Sequence, residues 1–523
     1  MKKHPFSLAN LFADNARRNP DLRFYLSSPM DVAPQLGSEV KLARLATLVD
    51  EIAERMILAG IRPGDRVAIA KRPSSDVTVI QQAVAKVGGI PAMIWPYADP
   101  EILSMLISRL DLPWLVTDST VKTECFAKVP LDRITFGILE LTDEGWSAEK
   151  HGSFRNSRSG LNLPEGAVLI THSSGTTGVP KLMVFNDAAL GAHTKIQERV
   201  ARWLSLRGPV AFCLSYFHNR MPSALATALD RRAEIILLDD PNPVVAADLM
   251  SKIKPQVVET FPNVYIEWEG LANHSGRPLA NIRLFINTFD AVHPRTVKTM
   301  LSASERRCAL HLQAYGATET GPLAIRLHTR RSASAGDDFR CVGYSIPGLT
   351  KNRLVQRLGT NDSITKSGEI QVKAKGAALA YVNEPNKQAP GSPENWWGTG
   401  DVGKRGRFGC LHLLDRAVDE IPGGSNNLIL EDKLLTRMPE LREVIVIPST
   451  DGKTSVPVVA TRNDHSLNIH AWREATADMP YLGRPLHLMW DAIPRSSTWK
   501  VRRISLREQI TNGEIRPIAA TEA

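Results

Sequence analysis

No run of apolar residues in this chain approaches the ~18 that a membrane-spanning helix needs. The opening Met-Lys-Lys-His-Pro-Phe is basic but lacks the apolar stretch that would make it a secretory signal. Cysteine is scarce: five among 523 residues, far apart and never as Cys-x-x-Cys. That argues against a disulfide framework or a zinc site and suits a reducing cytosol. Aromatics make up only 6% and nowhere interleave with a basic block. The net charge of +9 therefore does not read as a nucleic-acid footprint. Its short clusters, Arg330-Arg331 and Arg502-Arg503, suit solvated faces or contacts to an anionic small molecule. The expectation is a cytoplasmic protein with neither a membrane nor a nucleic acid as partner.

What the chain does contain is an ordinary globular balance, 43% hydrophobic and 23% charged residues. Its length implies two to four compact units. A short helix is expected over 7–20, where Leu8, Leu11 and Phe12 share a face. A longer one covers Leu42–Ala59 and stops at Gly60, and a turn from Ile61 feeds a buried strand ending at Ile69. Asp76–Val87 reads as a helix closed by Gly88-Gly89, and Ile90–Trp95, Leu115–Thr117 and Ile134–Leu139 as strands. Strand, helix, strand at these intervals predicts a parallel α/β sheet. Residues 143–164 are polar and rich in glycine and serine, a linker. A second α/β block follows, with strands at Val210–Leu214, Ala233–Leu238, Val257-Val258 and Ile282–Ile286. Its helices are expected at Ala224–Leu229, Val244–Ile253 and Val297–Leu301. From 330 to 412 the glycines and short alternating strands, such as Glu369–Lys373, predict an antiparallel subdomain. Residues 415–523 read as a small α+β unit with strands at Glu443–Ile447, Val456–Ala460 and Leu486–Trp490.

Between the apolar runs Ala167–Ile170 and Leu182–Phe185 lies Thr171-His-Ser-Ser-Gly-Thr-Thr-Gly-Val-Pro-Lys181. Glycines let a backbone turn tightly and approach a ligand; exposed N–H groups, hydroxyls and one ammonium can hold a polyphosphate. It is not a Walker A loop, which needs Gly-x4-Gly-Lys-Ser/Thr opening a helix. Here Gly175 and Gly178 are three apart and a strand follows. On composition alone the stretch reads more readily as an ordinary Ser/Gly hairpin loop. Three further stretches accompany it in order: Tyr315-Gly-Ala-Thr-Glu319 after the strand-like Ala309–Ala314, Trp396-Trp-Gly-Thr-Gly-Asp401, and Pro494-Arg-Ser-Ser-Thr-Trp-Lys500-Val-Arg-Arg503.

Together these strings resemble, over nearly the whole chain, the signatures of the ANL superfamily of acyl-CoA synthetases, peptide-synthetase adenylation domains and luciferases. The resemblance implies an α/β fold: a large N-terminal domain (1–414) of α/β subdomains plus a small β subdomain, and a mobile C-terminal α+β cap (415–523). It implies that Ser173, Ser174, Gly175, Thr176, Thr177, Gly178 and Lys181 hold the phosphates of ATP. Tyr315 and Gly316 would lie beside adenine and Thr318 near the phosphates, with Glu319 on Mg2+. A carboxylate beside a triphosphate must be offset by a hard cation, bound through one or two carboxylates plus phosphate oxygens. Asp401 would accept the ribose hydroxyls, and Arg416 would make the second ribose or phosphate contact. Lys500 would bridge the acid's carboxylate and the α-phosphate as the adenylate forms. A cation bound more strongly in the transition state than in the ground state lowers that barrier. In Leu214-Ser-Tyr-Phe-His218, His218 matches the position that closes the acyl pocket.

Three departures from the family pattern bear on substrate choice and on the second step. The family's Gly-Gly-Ala/Glu strand end, between adenine and acyl group, is here Asn287-Thr-Phe-Asp-Ala291. Asp290 and Ala291 would flank the bound nucleotide, and Phe289 crowds a slot usually left open. A small aryl or amino-bearing acid is expected rather than a long fatty acid. Val418 stands where the hinge carboxylate would be, with Asp419 one place on; hinge residues absorb the rotation of a cap. Trp499 replaces the glycine before the lysine. The expected activity converts a carboxylic acid and MgATP to an acyl-AMP and pyrophosphate, after which a thiol, most simply that of CoA, displaces AMP. Alternatives are the thiol of a carrier protein, or an amine or other nitrogen nucleophile as in secondary metabolism. From another class comes a nucleotide-binding protein without catalysis, against which Glu319, Asp401 and Lys500 argue.

Overall fold

The computed structural model describes residues 5–151, 161–173, 180–290, 292–334, 339–358, 361–364, 366–384, 389–391, 396–416, 427–449, 454–496 and 498–518. Among them the strands form sheets of eight, fourteen and three strands. The eight-stranded sheet is parallel at its centre, where Ala167–His172, Ile90–Met93, Arg66–Ile69, Trp114–Asp118 and Gly137–Thr142 lie side by side. Arg66–Ile69 and Trp114–Asp118 are buried at every position, as parallel strands covered on both faces are. Antiparallel strands finish the edges, Leu182–Asn186 and Ala380–Tyr381 at one and Gly145–Lys150 at the other.

The fourteen-stranded sheet joins two kinds of pairing. It is parallel from Arg23–Leu26 through Ile235–Leu237, Val210–Cys213, Val257–Thr260 and Leu284–Asn287 to Leu310–Ala317. Leu310–Ala317 then folds back on Gly321–Thr329, and the pairings from there to Asn361–Ile364 are antiparallel. The pairing changes at the strand that carries Tyr315. Beyond residue 427, Leu441–Pro448, Ser455–Thr461 and Leu486–His487 make the small sheet. Helices Asn427–Arg437, Ile469–Ala475 and Arg503–Thr511 accompany it, around two apolar clusters.

Helix Leu42–Ala59 forms as its spacing predicts: Leu42, Leu45, Leu48, Val49, Ile52, Ala53 and Met56 are buried, and Gly60 closes it in the left-handed region at φ 106°. Elsewhere the structure revises the sequence reading. The helix expected over 7–20 is only Leu11–Ala16. Leu8 is buried ahead of it, its N–H donating to Asp187 Oδ1, and the polar residues before Pro20 offer no apolar face to continue it. The linker of 143–164 contains the strand Gly145–Lys150, whose mostly exposed residues show no apolar alternation. The strand expected over Leu486–Trp490 stops at His487. Trp490 instead opens a short 3-10 turn, its ring 3.8 Å from the Arg442 guanidinium and 4.1 Å from that of Arg495. The five cysteines are free, yet Cys341 and Cys410 meet His412 across paired strands, their ligand atoms within 4.8 Å of one another. Separation in sequence hid this cluster. Burial pushes the Cys341 thiol up to about 11, so it stays protonated near neutrality. No helix among the described residues is long and apolar enough to cross a membrane.

Candidate active site

The polar stretch begins and ends on a strand pair. Ala167–His172 and Leu182–Asn186 run antiparallel, and Ser173 and Lys181 close the turn between them. Ser173 N–H donates to the Lys181 carbonyl at 2.9 Å, and Lys181 N–H to Ser173 Oγ at 3.0 Å. Ser174, Gly175, Thr176, Thr177 and Gly178 lie outside the described residues. Lys181 Nζ sits 5.5 Å from the centre of the Tyr381 ring. Burial, then the negative charge of Glu319, raises the Tyr381 hydroxyl pKa. Glu319 itself is buried, and its carbonyl accepts the Ala378 N–H at 2.7 Å. Lys181, Tyr381 and Glu319 thus share one wall.

Tyr315 and Glu319 are neighbours because a strand ends between them. The ladder from Leu310–Ala317 to Gly321–Thr329 slips at Tyr315/Gly316, and Gly321 adopts φ 67°. The His193 ring lies against both Gly321 and Gly376, leaving room for no side chain at either. His193 Nε2–H donates to the Gly376 carbonyl at 2.8 Å. At the strand end Tyr315 Oη donates to Asp401 Oδ2 at 2.6 Å, and Thr399 Oγ1 accepts the Asp401 N–H at 3.1 Å. Asp401 pairs in register with Arg416; the Arg416 side chain is outside the described residues.

Thr318 is met by the stretch 218–219. His218 Nδ1 accepts the Arg220 N–H at 3.0 Å, so its proton is on Nε2, which lies 3.2 Å from Thr318 Oγ1 and donates to it. Burial, then the neighbouring His172, His193, Arg220 and Lys500, pushes His218 down to about 3. It is neutral at any working pH. Its ring meets Phe289 edge-on at 4.8 Å, and Phe289 in turn lies 4.8 Å from Phe261. Phe289 adopts φ 80°, in the left-handed region that side chains rarely occupy. The Asp290 carbonyl accepts Asn287 Nδ2–H at 3.0 Å; Ala291 is outside the described residues.

Lys500 arrives on a tight turn. Trp499 N–H donates to the Ser496 carbonyl at 2.9 Å, Ser496 N–H to the Lys500 carbonyl at 2.8 Å and Arg502 N–H to the Pro494 carbonyl at 2.9 Å. Trp499 also occupies the left-handed region, at φ 59°. Its carbonyl accepts Asn263 Nδ2–H at 2.6 Å, and its side chain packs on the main apolar core. A cavity of about 40 Å3 separates the hairpin residues His172 and Pro180 from Arg495, Ser496 and Arg502 of this turn. Thr318 and His218 thus meet directly with the Lys500 charge felt at His218, Tyr315 joins Asp401 at the start of segment 315–319, and the Glu319 charge acts on Tyr381, beside which Lys181 lies, at its end. The hinge positions Val418 and Asp419 lie outside the described residues.

Sequence reasoning missed Asn219, whose Nδ2–H donates to the Thr318 carbonyl at 3.1 Å. It also missed the buried pair of Arg220 and Glu259, in which Arg220 Nε–H donates to Glu259 Oε1 at 2.6 Å and Nη2–H to Oε2. The signal was a charge at the head of the otherwise apolar Ala224–Leu229 run and another inside the run Val257-Val258-Glu259.

A family model described as AMP-binding enzyme matches residues 12–382. The 3-amino-2-hydroxy-4-methoxybenzoate diazotase of Streptomyces cremeus is 36% identical over 97% of this chain and 96% of that protein. In fold the chain is similar to the anthranilate CoA ligase AuaEII in complex with anthranoyl-AMP (TM-score 0.75, 16% identity, 98% of this chain and 99% of that one). It is also similar to the amide bond synthetase McbA of Marinactinospora thermotolerans (TM-score 0.73, 20% identity, 96% of this chain and 99% of that one).

Proposed function

Because the chain belongs to the AMP-binding enzyme family, we propose that this AMP-forming ligase delivers its activated group to the nitrogen of a small aromatic amine rather than to CoA. Adenylation followed by transfer to a thiol or an amine is the family's chemistry. The observation that carries the choice of amine is the identity with a diazotase along nearly the full length of both chains. The substrate side agrees with a compact ring, since Phe289 fills the space between His218 and Phe261.

Diazotisation adds a second nitrogen to an aryl amine, and nitrite carries nitrogen at the required oxidation level. A nitrite oxygen attacks the α-phosphorus of ATP and pyrophosphate leaves. The amine nitrogen then attacks the nitrosyl nitrogen, the N–O bond to AMP breaks, and the amine loses a proton. The N-nitroso amine tautomerises to a diazo hydroxide, which after protonation loses water to give the diazonium ion. Adenylation supplies the leaving group that bare nitrite lacks.

In this reading residues 1–414 form the nucleotide-binding body and 415–523 a cap. Ser173, Lys181, Thr318 and residues 174–178 would hold the phosphates, and Tyr315 with Gly316, Asp290 and Ala291 would flank adenine. Asp401 and Arg416 face the ribose, a role supported by the hydrogen bond from Tyr315 that holds one Asp401 oxygen. Glu319, a buried carboxylate beside Tyr381 and Lys181, suits Mg2+, which would offset phosphate charge. Lys500 meets the negative charge that builds on the α-phosphate. His218, neutral and donating from Nε2, holds Thr318 and closes the pocket.

The test combines protein, MgATP, nitrite and a panel of aminobenzoates. AMP release that needs both nitrite and amine, with an azo dye formed on coupling to a naphthol, is the expected result. An acyl thioester formed only with CoA, or only on a carrier protein, would replace the amine reading. No AMP release with any acid, amine or oxyanion would overturn the ligase reading itself.

A further inference from the structure

A cavity of about 80 Å3, several times what one water needs, lies behind the cleft. Its walls are mainly aliphatic, Val200 and Leu284 among them, but polar residues are set into them. They are Gln197 from helix Asp187–Trp203, Arg220 at the start of helix Arg220–Asp230, Glu259 from strand Val257–Thr260, and Thr288 just past strand Leu284–Asn287. The cavity adjoins the reacting centre, since Arg220 lies two residues past His218 and Thr288 directly precedes Phe289.

Gln197 Nε2, Arg220 Nη1 and Thr288 Oγ1 are buried without a protein hydrogen-bond partner. Their neighbouring atoms are not idle: Gln197 Oε1 accepts from Thr227 Oγ1 at 2.7 Å, and Glu259 takes the other two Arg220 nitrogens. Folded proteins leave few buried polar groups unpaired, and here three such residues line one space.

We propose, resting on the aryl-amine reading above, that this cavity seats the substrate ring and that Gln197, Arg220 and Thr288 recognise neutral oxygen substituents on it, hydroxyl or methoxy. Charge decides the class. Glu259 holds Arg220 through two hydrogen bonds, so the pair brings no net charge to the cavity. A second substrate carboxylate there would lie in apolar surroundings without a free counter-ion, whereas an ether or phenol oxygen needs only a donor. Arg220 and the Gln197 amide nitrogen supply donors, and the Thr288 hydroxyl both donates and accepts, so a phenol O–H is satisfied as well. An unsubstituted ring or an acyl chain would leave these groups unmet.

Calorimetric titration in the presence of AMP, without nitrite, reads binding independently of turnover. The probes are 3-aminobenzoate, its ring-hydroxylated and ring-methoxylated derivatives, and 5-aminoisophthalate. We expect the oxygenated rings to bind about tenfold more tightly than 3-aminobenzoate, and the dicarboxylate to bind most weakly. Thr288→Val and Gln197→Leu remove the unpaired donors and should each erase most of that advantage, read as the ratio of affinities for oxygenated and plain rings within the same variant. Equal affinity for plain and oxygenated rings overturns the proposal. So does a preference for the dicarboxylate, retention of the advantage in both variants, or failure of every aminobenzoate to bind. If the preference and its loss are observed but no diazonium forms, the pocket assignment stands and the diazotisation reading fails.

Discussion

At the scale of single residues, the candidate cleft draws on groups far apart in the chain, and the main ones have distinct readouts. Lys500→Ala should slow adenylate formation by about 10²–10³-fold, as removal of a preorganised charge does, while sparing release of AMP from a preformed adenylate. Equal loss in both half-reactions, measured by pyrophosphate release and by single-turnover chase, would contradict its role at the α-phosphate. Asp401→Ala should raise the KM for ATP roughly tenfold or more with little change in kcat, since one of its oxygens is already fixed by Tyr315. An unchanged KM removes it from the ribose. Local strings singled out Tyr315, Asp401 and Lys500 as candidates, and the first two do meet. Arg220 and Glu259 were not legible in the sequence, because their pairing joins positions 39 residues apart and periodicity says nothing about which buried charge finds which.

At the scale of elements, the spacing of apolar residues located most of the parallel strands and the helix Leu42–Ala59 to its last residue. It gave no element over Asp187–Trp203, a 17-residue helix. That helix buries Ala189, His193, Thr194 and Glu198 beside Leu190 and Ile196, so its inner face is too polar to stand out as a stripe. Edge strands such as Gly145–Lys150 escape for the same reason: half-exposed residues leave no pattern. The strand end at Tyr315 depends on a close backbone approach. A methyl group on Gly316 would press against the Gly321 carbonyl oxygen, well inside van der Waals contact. Gly316→Ala should therefore cost about 1–3 kcal/mol of stability and weaken ATP binding, because the slip in register that sets Tyr315 would have to move. Chemical denaturation and nucleotide titration of the same variant check both; wild-type values in each would show that the turn yields.

At the scale of the whole molecule, the fold disfavours protonation of several described histidines, four of them strongly. Burial above all pushes His218 and His311 down to about 3 and His193 and His293 down to about 4. Below ~6.5, the ordinary value, an unfolded chain takes up protons that the folded one refuses. Their contribution to stability is therefore complete above about pH 6.5 and lost as pH falls towards these depressed values. The urea midpoint should drop between pH 7.5 and 5.0. His311 has both ring nitrogens buried without a protein partner, so His311→Phe should reduce that drop while changing the midpoint at pH 7.5 little. A drop of undiminished size in the variant would assign the acid sensitivity elsewhere. The segment after residue 427 is tied to the rest by Arg442–Glu267, Arg462–Glu269 and Arg502–Asp99 and by the wedge of Trp499. That wedge has a consequence for laboratory evolution. Tryptophan has a single codon, TGG, and one base change makes it GGG, glycine, the residue that tolerates a left-handed backbone without strain. Random mutagenesis thus reaches Trp499→Gly in one step. Such a clone should trade a slower first half-reaction for a looser lysine turn, and selection for thioester-forming progeny should enrich it ahead of changes at Phe289, whose codons are two substitutions from any glycine.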